Sequence, residues 1–434
     1  MTRKILILLL TVVTPIGWSY PIDGHDYTHI QRLKYTNALR LPPGARLPLS
    51  DVLPSGDGIT SLPDADSKLS ARIKSALGDH ASNYSVAVLD ISDHDQPLYA
   101  AHNENHIANI GSVGKFLVLF ALFDKLARLY PDDIEARERV LRDSSITVND
   151  WIVHDSHTVP IVDADSGEPA RRKLHIGDRG NLWEFLDWMA SASSNAAASM
   201  VVQQVILLEH FGRDYPAEPS VTRRFLEQSS PGELGELWLA AMQRPLEAAG
   251  FDTGRIRQGS PFTATAKRYV SGTSSVGNVR DLVRLLNLIE AERFVDPWSS
   301  RETKRLLYMT ERRIRYASHP ALNNAAVYFK SGSYYSCEPE PDFLCRKYRG
   351  NRINRLASIA IIESPADSPA LRYMVAVMSN VLYVNSAVAH QTLAMRIHRL
   401  IEAQHQSQSL QESPEAASPY PSPISHEDTL SGTP

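Results

Sequence analysis

Residues 112–123 read Ser112-Val113-Gly114-Lys115-Phe116-Leu117-Val118-Leu119-Phe120-Ala121-Leu122-Phe123. The spacing predicts a helix from Val113 to Leu129 that is apolar nearly all round, and a helix of that kind belongs inside a core. Gly111 and Ser112 stand at its start. Residues i and i+3 of a helix share a face, so the Lys115 amine is directed towards the Ser112 hydroxyl. A free serine is a poor nucleophile because it holds its proton too tightly. A buried lysine with a lowered pKa can remove that proton, and the unpaired N–H groups of a helix start favour negative charge nearby. Ser112 and Lys115 are therefore the candidate nucleophile and base. Taken alone the pattern is weak, since a helix N-cap followed by a surface lysine has the same spelling.

Outward from this helix, the elements come in an informative order. Lys68 to Leu77 reads as an amphipathic helix, and Tyr84 to Ile91 and Pro97 to Ala101 read as two strands joined by a polar turn. The middle is helical: 182–209, 233–249 and 279–292. Strands return at 326–329, 355–362 and 372–379, and a closing helix from Ser386 to Ile401 carries Leu393, Ile397, Leu400 and Ile401 along one stripe. Strands at both ends of a helical middle imply an α/β (α+β) fold, with an antiparallel sheet built from both termini and an inserted helical subdomain at about 112–320. The active site is expected where the inserted helices meet the sheet. Residues 131–178 read as an insertion that includes a hairpin around Asp165-Ser166-Gly167.

Two further motifs follow the first. Ser193-Ser194-Asn195 precedes a run of alanines, and Lys330-Ser331-Gly332-Ser333 stands at the end of the strand Ala326–Phe329. Individually they are a helix start and a turn. In this order, Ser-x-x-Lys, Ser-x-Asn and Lys-Ser-Gly resemble the penicillin-interacting serine enzymes, the class A β-lactamases and penicillin-binding D,D-peptidases. The resemblance runs from about Lys68 to Ile401 and includes the two early strands and the run Ser271-Gly-Thr-Ser-Ser-Val-Gly-Asn-Val-Arg. It implies a β-lactamase/transpeptidase-like fold. Ser112 would become acylated, Lys115 would shuttle its proton, and Ser193 would relay a proton to the leaving nitrogen. Asn195 would hold the substrate amide and the lysine. Lys330 and Ser331 would bind the substrate carboxylate, with Gly332 beside them, and the N–H groups of Ser112 and Ser333 would form the oxyanion hole.

One part of the family pattern is missing. Class A β-lactamases clear their acyl-enzyme with the glutamate of a Glu-x-x-Leu-Asn segment, and no such segment lies between the second and third motifs. Glu209, Glu218, Glu227, Glu233, Glu236 and Glu247 occupy the interval without Asn four residues on. Glu227, at the most similar separation, reads as an exposed helix-end residue. Ser194 also stands where an aspartate is common. The expected function is a serine hydrolase acting through an acyl-enzyme on an amide or ester, such as a β-lactam or peptidoglycan peptide. The alternative is a penicillin-binding or sensing module that is acylated without turnover.

The bulk numbers agree with an enzyme of small molecules or peptides. The chain has 434 residues, 43% apolar and 22% charged, with 45 basic and 49 acidic side chains giving a net charge of -4. That balance argues against nucleic acid as a partner. Thr2-Arg3-Lys4 followed by the apolar Ile5–Gly17 reads as a signal peptide, with cleavage expected after Ser19. The mature protein is then exported, to the periplasm or beyond, without a stable membrane span. Residues 20–67 read as an irregular extension on or near the hydrolase domain at 68–403, and 404–434 as a disordered tail. Cys337 and Cys345 either close a short loop, worth ~2–3 kcal/mol, or are two neighbouring thiols. His154, His157 and His175 match no familiar zinc spacing, and Asp163-x-Asp165-x-Gly167 lacks the later ligands of a calcium loop. No metal or cofactor is expected.

Overall fold

The computed structural model describes residues 47–152, 155–162, 169–309 and 313–411. The expected signal peptide, His154, the Asp163–Gly167 turn and most of the expected tail lie outside them. Helix α1 (Ser67–Leu77) is capped by Asp66, whose carboxylate accepts from the Leu69 amide. Strands β1 (Tyr84–Asp90) and β2 (Leu98–His102) follow, then α2 (Gly114–Leu129). The helical half continues with α3 (Ile134–Asp143), two small two-stranded ladders and α4 (Leu182–Ala190). The ladders pair β3 (Ser145–Thr147) with β6 (Arg179–Asn181), and β4 (Val159–Val162) with β5 (Pro169–Arg172). Helices α5 (Asn195–Phe211), α6 (Pro219–Gln228), α7 (Pro231–Ala248), the short α8 (Ala266–Tyr269), α9 (Val279–Glu290) and α10 (Pro297–Tyr308) complete it. The chain then returns to the sheet through β7 (Ala326–Ser336), β8 (Ile353–Ser364) and β9 (Leu371–Asn380), and ends in α11 (Ser386–Gln411).

The antiparallel sheet has the order β2-β1-β9-β8-β7, so the N-terminal hairpin joins the C-terminal strands through the pairing of β1 with β9. Both faces are covered, and the two-residue side-chain period sorts each strand between two cores. Val86 and Val88 of β1, with Tyr373, Val375 and Val377 of β9, pack against Leu69 and Ile73 of α1 and Ile397 of α11. Ala87 and Leu89, with Met374, Ala376 and Met378, join the larger core made with the inserted helices. Every α2 residue from Gly114 to Phe123 is buried, which explains why its sequence has no polar face.

Three expectations change. The helix read over 182–209 is two helices, because Ser191–Ser194 breaks it: Ser193 has a φ of 60°, and the Ser194 hydroxyl accepts from the Ala197 amide to cap α5. The strand read over 326–329, with the Lys330 motif at its end, runs on to Ser336. The motif lies inside β7, paired residue by residue with β8 (Lys330 with Ile359, Ser333 with Leu356). Helices α3, α6 and α10 were not anticipated. Residues 47–66 pack on the helical half, where Ile59 exchanges two hydrogen bonds with the Asn287 side chain of α9. Cys337 and Cys345 are joined by a disulfide with Cα atoms 6.0 Å apart.

Candidate active site

Ser112 sits in a short 3-10 turn, Gly111–Val113, that runs directly into α2. That turn lies against β7 so closely that a Cβ on Gly332 would stand 2.3 Å from the Ser112 nitrogen and 2.6 Å from the Ile110 carbonyl oxygen. Only glycine allows the approach. Gly111 itself has a φ of 54°, the left-handed conformation that glycine adopts without penalty.

Lys115, the second residue of α2 and one helical turn beyond Ser112, is 1% exposed. Its Nζ lies 3.2 Å from Ser112 Oγ, 2.6 Å from the Ser193 carbonyl oxygen, 2.8 Å from Asn195 Oδ1 and 3.4 Å from Ser193 Oγ. Burial pushes this amine down to about 7, with the Asp155 carboxylate opposing and the Arg315 guanidinium adding to the shift. A neutral amine has two N–H donors and one lone pair. The two shortest contacts accept the donors, which leaves the lone pair for the Ser112 O–H. That is the arrangement a general base needs.

The break between α4 and α5 places Ser193 between the two lysines, since Lys330 Nζ donates to Ser193 Oγ at 2.7 Å. Burial, then the Lys115 and Arg315 charges, hold the Lys330 amine well below the usual lysine range. Residues 112, 115, 193, 195 and 330, from three separate stretches of the chain, thus converge on one point. Ser331 and Ser333 face Arg315, which the sequence did not single out. Its guanidinium donates to Ser331 Oγ at 2.5 Å, to Ser333 Oγ at 3.3 Å and to Tyr348 Oη at 2.9 Å, and lies over the Tyr348 ring. Ser193, Arg315 and Tyr348 all have positive φ. For non-glycine residues such backbone is costly and tends to gather at functional sites. A cavity of about 580 Å³ joins Ser112, Ser193, Asn195, Arg315, Lys330 and Tyr348.

Asp155, whose side chain is 2% exposed, was also missed. Its carboxylate accepts from Ser194 Oγ at 2.8 Å and the Ala196 amide at 2.9 Å, so it supplies from the insertion the carboxylate that Ser194 lacks. Against burial, the His157 ring and these amides hold Asp155 below the usual carboxylate range. No signal in the sequence pairs residues 155 and 194. His175, weighed as a metal ligand, has its backbone amide on Asp178 instead. Among the described residues no cluster of three or more His, Cys, Asp or Glu side chains is placed to hold a metal ion, and no helix is long and apolar enough to cross a membrane.

None of the six interval glutamates reaches the cavity, whose described lining contains no Asp or Glu. Glu209 is tied to Lys125, Arg128 and Arg244, Glu233 closes the cap of α7, and Glu227 is exposed in the last turn of α6.

The model of the beta-lactamase enzyme family matches residues 68–381. No curated protein matches the chain in sequence. A β-lactamase from Chitinophaga pinensis is similar over 78% of this chain and 100% of its own, at 12% identity and a TM-score of 0.50. A mutant of PBP-A, solved as an acyl-enzyme complex with penicillin G, is similar over 79% of this chain and 99% of its own, at 14% identity and a TM-score of 0.50. At these identities the likeness establishes a shared fold.

Proposed function

The chain belongs to the beta-lactamase enzyme family, and on that premise we propose that it is an exported serine hydrolase forming an acyl-enzyme at Ser112. Its substrate is an amide or ester that carries a carboxylate, such as a β-lactam or a peptidoglycan peptide. The observation that carries this reading is the contact of Lys115 Nζ with Ser112 Oγ at 3.2 Å, made by an amine that burial lowers to about 7.

The steps follow from that contact. Ser112 Oγ attacks the carbonyl carbon while its proton passes to Lys115. The N–H groups of Ser112 and Ser333 receive the developing oxyanion, a kind of contact worth ~3–4 kcal/mol per donor. Ser193, within reach of both lysines, passes the proton to the leaving nitrogen, and Asn195 orients the amide and Lys115. Lys330, Ser331 and Arg315 hold the substrate carboxylate through charge-assisted hydrogen bonds. Export is supported by the signal-like Arg3–Gly17 segment and by the Cys337–Cys345 disulfide, which suits an oxidising compartment.

The lack of a carboxylate in the described cavity lining favours a second reading, a module that is acylated but does not turn over. Steady-state hydrolysis of benzylpenicillin and of a peptide ending in D-alanyl-D-alanine, by the unmutated protein and by Ser112→Ala, separates the two. Multiple turnovers that vanish in Ser112→Ala support the hydrolase. A single stoichiometric turnover supports the module, and hydrolysis that survives in Ser112→Ala contradicts both.

A further inference from the structure

An acyl-enzyme is cleared by water only if some group takes the water's proton. With no carboxylate in the described lining, the cavity offers few candidates. Lys115 has passed the Ser112 proton on by this stage, but its two N–H bonds are taken by the Ser193 carbonyl and Asn195 and its lone pair faces Ser112 Oγ; Lys330 is held by Ser193 and by the substrate carboxylate. His157 lines the same cavity as Ser112, and its side chain is 34% exposed. Its Nδ1 is 2.7 Å from Asp155 Oδ1, and its Nε2 has no hydrogen-bond partner among the described residues.

The Asp155 carboxylate is held by four donors: His157 Nδ1, the His157 amide at 3.0 Å, Ser194 Oγ and the Ala196 amide. It is therefore an acceptor, so in the neutral imidazole the proton sits on Nδ1 and the lone pair on Nε2. Ser194 lies between Ser193 and Asn195, both in contact with Lys115 Nζ. Asp155, rather than His157, is thus fixed through Ser194 Oγ and the Ala196 amide to the segment that positions the base of the first step, and the His157 ring hangs from the other carboxylate oxygen. A carboxylate that orients an imidazole beside a serine site is a recurrent base geometry.

We propose that His157, oriented by Asp155, is the base for deacylation, in place of the absent glutamate; the proposal rests on the acyl-enzyme reading above. Water oxygen bonds to the acyl carbon and one water proton passes to His157 Nε2. The C–Oγ bond of Ser112 then breaks, and the proton held on His157 returns, through Lys115 or solvent, to Oγ. The product carboxylic acid keeps the second water proton and leaves the site as first found.

The test is a time course of labelling and label loss with a fluorescent penicillin, in the unmutated protein and in His157→Ala, with and without free imidazole. The expected result is unchanged label formation in His157→Ala, label loss at least about tenfold slower, and partial recovery of that loss with imidazole. Label loss that is unchanged in His157→Ala overturns the proposal, as does a parallel fall in formation and loss. A label that never leaves the unmutated protein also overturns it. Absence of label from the unmutated protein overturns the acyl-enzyme reading itself, and this proposal with it.

Discussion

At the scale of single residues, the proposed chemistry rests on a lysine whose proton burial loosens to near neutrality. A lysine lowered to about 7 is protonated below that pH and free above it. The rate of Ser112 acylation is therefore expected to fall about tenfold per pH unit below 7 and to level off above it. Stopped-flow acylation across pH 5 to 9 checks this, and a flat profile through 7 would contradict the assignment of Lys115. Lys115→Arg keeps the charge but cannot release a proton near neutrality, so it should lose acylation by about 10²–10⁴-fold at every pH. Ser112, Lys115, Ser193, Asn195 and Lys330 could be read from the sequence because each falls in a short motif with a fixed spacing. Arg315, Asp155 and Tyr348 could not. Their roles come from contacts between distant segments, and each lies in a polar stretch where an arginine, aspartate or tyrosine attracts no notice.

At the scale of elements, the site depends on how closely β7 approaches the turn that carries Ser112. A methyl group on Gly332 would overlap two backbone atoms of that turn, and backbone cannot step aside as a flexible side chain can. Gly332→Ala is expected to leave the fold intact by circular dichroism while lowering acylation about 10²-fold through displacement of the nucleophile. Normal acylation in a folded Gly332→Ala protein would show that the contact does not set the geometry. The five strands of the main sheet and α2 were legible because short apolar, β-branched runs and a long all-apolar run are local patterns. The break between α4 and α5 was not, since apolar residues continue on both sides of it. The left-handed Ser193 stands between two lysine amines contributed by α2 and β7, and nothing in the local sequence announces them.

At the scale of the whole molecule, a buried charge cluster ties the N-terminal extension, the helices and the sheet together. Lys304 of α10 is fully buried and pairs with Glu290 of α9 at 2.7 Å and Glu363 of β8 at 2.9 Å. It also donates to the Leu53 carbonyl at 2.9 Å, while Tyr328 of β7 donates to Glu363 at 2.6 Å. Removing the cation strands two carboxylates in the interior. Lys304→Met should cost about 3–5 kcal/mol of stability, read as a lower urea midpoint. An unchanged midpoint would show that solvent reaches the cluster. None of these residues was singled out in the sequence, because a buried lysine and a surface lysine are spelled alike.

The most direct test of the central claim is the mass of the protein after brief exposure to benzylpenicillin, followed by peptide mapping. One penicilloyl adduct per chain is expected, on the peptide that contains Ser112, and none in Ser112→Ala. An adduct that maps elsewhere, or that persists in Ser112→Ala, would contradict it.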